Sequence, residues 1–131
     1  MFYVLDTHSI IWFLDNDSRL GKNAAVVLDN PKAKLVVPTI TLLEISSLYS
    51  KKRIKISVTT VYEELINKRK RNCKVYPLDE EVVTFAPNSL NIHDSIIVGT
   101  ALVYRDVLKR KVALITKDGE ITKSGIIQTI W

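Results

Sequence analysis

The stretch Met1-Phe2-Tyr3-Val4-Leu5-Asp6-Thr7-His8-Ser9-Ile10-Ile11-Trp12-Phe13-Leu14 decides the fold. Phe2 to Leu5 are apolar without alternation, the pattern of a strand buried on both faces, as in a parallel sheet. Ser9 to Leu14 reads as a short helix with Ile10, Phe13 and Leu14 on one side, and Asp15-Asn16-Asp17-Ser18 breaks it. Trp12 falls to the core or to an interface. Asp6 sits at the junction, just outside the carboxyl end of a strand, where α/β sheets hold their ligands.

The rest of the chain repeats this alternation. A helix is predicted over Lys22 to Leu28, stopped by Asp29-Asn30-Pro31, then a short strand Leu35-Val36-Val37 closed by Pro38. Thr41-Leu42-Leu43-Glu44 has the spacing of a capping box, which puts Glu44 in the first turn of a helix reaching about Lys52. Another helix is expected from Thr60, with Leu65 and Ile66 inward, ending in Lys68-Arg69-Lys70-Arg71. Lys74 to Leu78 reads as a strand, and Asp79 caps a brief helix to about Ala86. Asp94 opens a helix continuing through Ser95 to Tyr104, where an acidic side chain complements the helix dipole. Val112 to Thr116 is a strong strand, Lys117-Asp118-Gly119 a turn with Asp118 as turn former, and Ile126 to Trp131 a closing strand. The expectation is one α/β domain over residues 1–131, with a mostly parallel central sheet between helical layers.

Bulk properties agree with a folded chain of this size. The 131 residues are 47% hydrophobic and 25% charged, a balance that excludes extended disorder. The formal charge of +5 favours a polyanionic partner. Lys51, Lys52, Arg53 and Lys55 form one basic run and Lys68 to Arg71 a second, and together they read as a phosphate-tracking surface. A lone Cys73 forms no internal disulfide and suits a reducing compartment. Without a basic leader, and with no run near the roughly 18 apolar residues of a membrane span, the expected location is cytoplasmic.

Four acidic residues occupy corresponding places: Asp6 after the first strand, Glu44 after the second, Asp94 opening a late helix and Asp118 after the late strand. A parallel sheet collects its strand ends on one edge, so all four carboxylates converge and repel one another. Hard oxygen donors of this kind suit Mg²⁺ or Mn²⁺, which activate water for in-line attack on a phosphodiester.

These residues carry a resemblance. Val4-Leu5-Asp6-Thr7-His8 with Trp12, Glu44 within Thr41-Leu42-Leu43-Glu44-Ile45, Asp94 within His93-Asp94-Ser95-Ile96-Ile97, and Leu114-Ile115-Thr116-Lys117-Asp118 together resemble PIN-domain ribonucleases. Within that family the chain is most similar to VapC-like toxins of type II (VapBC) toxin–antitoxin pairs. The resemblance implies a metal-dependent endoribonuclease with Asp6, Glu44, Asp94 and Asp118 as metal ligands, directly or through water. It implies that Thr7 and Thr116 orient carboxylate or water. It further implies an RNA substrate, a homodimer and a VapB-like antitoxin whose C-terminal segment covers the site. One departure stands out: Asp94 is followed by Ser95-Ile96-Ile97, with no basic residue in the helix until Arg105. His93, beside a carboxylate, reads as structural.

Rival readings account for less. A receiver domain needs an early acidic pair and an Asp after a central strand, and neither Val36-Val37-Pro38 nor Val75-Tyr76-Pro77 provides one. A haloacid-dehalogenase-type phosphatase wants a carboxylate where His8 stands. The alternatives retained are a PIN-like module that binds RNA or protein without cutting, and a PIN nuclease of RNA processing.

Overall fold

The computed structural model describes every residue from Met1 to Trp131. Strand β1 (Phe2–Leu5) leads directly into helix α1 (Thr7–Leu14), and α2 (Lys22–Asp29) follows. Next come β2 (Lys34–Pro38), α3 (Thr39–Ser50) and α4 (Val58–Val61), the last continued by a π turn over Tyr62–Ile66 and a 3-10 segment over Asn67–Asn72. The chain then forms β3 (Cys73–Tyr76), α5 (Glu80–Phe85) and α6 (Ile92–Leu102), with a second π turn at Val103–Val107. It closes with β4 (Val112–Ile115), α7 (Gly119–Ser124) and β5 (Thr129–Ile130).

All five strands are parallel, in the order β3-β2-β1-β4-β5, and the expected α/β/α sandwich is present. The register explains the unbroken apolar runs. Leu5, Leu35, Val37 and Ile115 point into one buried cluster, whereas Val4, Val36 and Leu114 point into the other. The three central strands β1, β2 and β4 therefore have a core on both faces. On the second face α5 and α6 cross closely at Gly99, where an added Cβ would lie 2.8 Å from the Val82 carbonyl oxygen.

Several boundaries differ from the sequence expectation, each for a physical reason. Helix α3 starts at Thr39, so Thr41 and Glu44 form no capping box; the Thr41 hydroxyl instead donates to the Leu5 carbonyl at 3.2 Å. Ser57 caps α4 through the Thr60 amide and begins that helix before Thr60. Asp118 caps α7 by accepting from the Ile121 amide, a helix where a turn was expected, and the closing strand shrinks to Thr129–Ile130. Lys68 to Arg71 immediately precede β3, hence lie at the amino edge of the sheet, and Arg69 donates to the Leu28 and Asn30 carbonyls ahead of β2.

Trp131 docks beside the start of α2. The Asn23 amide donates to its carbonyl at 3.0 Å, and its ring meets Trp12 edge-on at 5.7 Å. This seat requires glycine at position 21, since a Cβ there would stand 2.4 Å from the Trp131 carbonyl carbon. Gly21→Ala is expected to cost about 1–3 kcal/mol by overpacking, seen as a lower urea midpoint at unchanged m-value. An unaltered midpoint would show that Trp131 swings aside freely.

Candidate functional site

Strand order reverses direction at β1 and β4, the topological switch point, and the crevice outside their carboxyl ends holds the acidic residues. Asp6 follows β1 and Asp118 follows β4, and the Asp6 amide donates to the Ile115 carbonyl at 3.2 Å. Glu44 comes from the second turn of α3, and Asp94 from the first turn of α6. All four line one cleft of about 490 Å³ together with Thr7, His8, Trp12, Asn91, His93, Ile97 and Lys117.

Helix starts hold these carboxylates in place. Asp6 Oδ1 accepts from the Ser9 amide at 2.8 Å to cap α1, and Asp118 Oδ1 accepts from the Ile121 amide at 2.9 Å to cap α7. Each commits Oδ1 to its cap. Asp94 is gripped differently: Asn91 caps α6 through the Asp94 amide at 3.0 Å, and its own amide group donates to Asp94 Oδ2 at 2.7 Å.

Hydroxyls complete the frame. Buried Thr7 donates to Glu44 Oε1 at 2.8 Å, while His93 Nδ1 stands 3.2 Å from Glu44 Oε2. The Thr116 hydroxyl accepts from the Asp118 amide at 3.0 Å and lies beside Asp6. Thr7 and Thr116 thus both lie at the carboxylates. Sequence reasoning missed Asn91, although Asn three positions before Asp94 is a cap spacing, and it missed Lys117. It also left His93 without its Glu44 partner.

The electrostatics record the crowding. Burial raises the Asp94 carboxyl above the usual carboxylate range, and Asp118, Glu44 and Asp6 push it the same way, against the Asn91 hydrogen bond. Burial also raises Asp6, opposed by Thr116, Ser9 and His8. The donor set is hard oxygen throughout, which fits Mg²⁺ or Mn²⁺ better than a softer metal. No three His, Cys, Asp or Glu side chains are already grouped around one ion position.

A PIN domain family model matches residues 3–125. Solved structures share the fold, among them the following two. VapBC2 from Rickettsia felis, bound to a DNA fragment from their promoter, is 10% identical with a TM-score of 0.63, covering 99% of this chain and 98% of that one. A toxin–antitoxin complex from Klebsiella pneumoniae is 16% identical with a TM-score of 0.66, covering 98% and 96%. No curated protein sequence gives a significant match.

The raised pKa of Asp94 makes stability depend on pH in one direction. Between the ordinary value of 3.8 and the higher native value the folded state binds more protons than the unfolded one, so stability falls as pH rises through that window. Asp94→Asn keeps an acceptor for Asn91 and removes the charge. Its Tm is expected to exceed that of the unaltered chain at neutral pH, with the gap closing as pH approaches 3.8. A gap independent of pH would refute the electrostatic account.

Proposed function

The chain belongs to the PIN domain family, and from that premise we propose that it is a metal-dependent endoribonuclease, the toxin of a VapBC-type toxin–antitoxin pair. The observation that carries this reading is the meeting of Asp6, Glu44, Asp94 and Asp118 in one cleft, close enough that three of them raise the proton affinity of the fourth. A purely structural cluster would be relieved by paired Lys or Arg. Here Lys117 is the one Lys or Arg lining the cleft.

In this reading Asp6, Glu44, Asp94 and Asp118 hold Mg²⁺ or Mn²⁺, directly or through water. The bound cation supplies charge neutralisation, a more acidic water and a partner for phosphate oxygens. The chain's own groups set the geometry. Thr7 fixes the Glu44 carboxylate, Thr116 ties Asp118 to Asp6, and Asn91 holds Asp94 Oδ2 so that Oδ1 is left for water. Lys117 meets the phosphate and stands in for the cation that the helix after Asp94 lacks. Arg105 is unsuited to that role, being tied to Asp106 and to the Ile126 carbonyl.

RNA as substrate, a homodimer and an antitoxin partner rest on the family resemblance. The two fold relatives, both solved as toxin–antitoxin assemblies, support the last of these. No helix is long and apolar enough to cross a membrane.

The test is cleavage of a mixed structured RNA pool in Mg²⁺ or Mn²⁺, with EDTA as control. Outer-shell changes at metal sites cost about 10–100-fold, so Asp6→Asn or Asp94→Asn is expected to cost at least about 100-fold. Undiminished cutting by either variant would sink the site assignment.

A further inference from the structure

A second cleft, of about 630 Å³, adjoins the first and shares His8 and Trp12 with it as a common wall. Arg19, Arg53 and Lys55 line it, with Asp15 and Asp17. Asp17 is neutralised by Arg19, whose guanidinium contacts it at 2.8 Å. Arg53 and Lys55 make no ion pair, so the cleft is cationic on balance.

The end of α3 directs these two cations here. Lys52 takes a left-handed conformation (φ 58°), and the Lys52 and Arg53 amides close back on the Tyr49 and Leu48 carbonyls. The partition is aromatic. Exposed His8 leans on Trp12 with ring centres 5.2 Å apart, and the Lys117 ammonium lies 5.7 Å from the Trp12 centre on the carboxylate side. The other basic run is differently placed, since Arg69 is tied to backbone carbonyls and Lys68 to Glu64 at 2.7 Å.

We propose that this second cleft binds the single-stranded RNA segment adjoining the cleaved bond, with Arg53 and Lys55 on its phosphates and His8 against a base. The proposal rests on the nuclease reading and gives that site a direction along the strand. Cations that follow a backbone, beside an aromatic face that accepts any base, are the general means of holding single strands. Continuity through His8 and Trp12 lets one strand occupy both clefts, with Lys117 at the crossing.

The experiment measures binding of a fluorescent oligouridylate to the full chain carrying Asp94→Asn, in EDTA, so that cutting is silent. Adding Arg53→Glu with Lys55→Glu is expected to weaken binding by about tenfold at low salt and to lower the slope of log K against log salt by about 1.4, two phosphate contacts on a single strand. His8→Ala is expected to weaken binding severalfold at unchanged slope, because stacking is not ionic. Lys68→Glu with Arg71→Glu changes net charge equally and is expected to shift affinity by about twofold or less. Equal losses from both pairs, or unchanged affinity in the first, would overturn the strand path; the latter would leave the cleft to a protein segment. The two readings separate cleanly. RNA cutting without dependence on Arg53 and Lys55 defeats the path alone, whereas binding through them without metal-dependent cutting defeats the nuclease alone.

Discussion

Everything at the site depends on β1 pairing in parallel with both β2 and β4. Parallel pairing sends every strand end to one edge and forces each connection back across a face of the sheet. Helices therefore start where strands stop. Had β4 run the other way, Asp118 would emerge at the far edge, out of reach of Asp6. The acidic residues owe their proximity to topology, because they are far apart in sequence and have no attraction for one another.

Repulsion on that scale needs restraint that does not cancel the charge. The buried polar side chains are Thr7, Ser9, Thr41, Ser95, Thr100 and Thr116, every one a hydroxyl, and none is left without a partner. A hydroxyl donates and accepts without carrying charge, so it tolerates burial at low cost. Thr7 fixes Glu44, Ser9 donates to the Asp6 carbonyl and Thr41 anchors α3 to the end of β1. Lysines in these places would neutralise the carboxylates; hydroxyls aim them and leave their charge intact. The raised proton affinities of Asp6 and Asp94 are the cost of that choice.

Much of this was legible in the residues, and the exceptions share a cause. Strands buried on both faces appear as continuous apolar runs, so β1, β2 and β4 were readable, and their ends located Asp6 and Asp118. Helix α7 was not, because six residues burying only Ile121 show no periodicity. Thr41-Leu42-Leu43-Glu44 carries a local cap pattern, yet the Thr41 hydroxyl found a stronger use in the Leu5 carbonyl across the fold. Local spacing lost to tertiary contact. The position of Lys68 to Arg71 was readable in principle, since a run directly preceding a parallel strand must lie at the edge opposite the strand ends. The link between Glu44 and His93 spans two helices and had no signature in spacing.

The double duty of Asp6 and Asp118 also bears on how such a chain drifts. Asparagine caps a helix as well as aspartate does, and the two codons differ by one base. A single transition therefore erases a charge while its helix start and its neighbours persist. Lineages descended from this fold have a short path to copies that keep the whole architecture and lack one charge of the cleft.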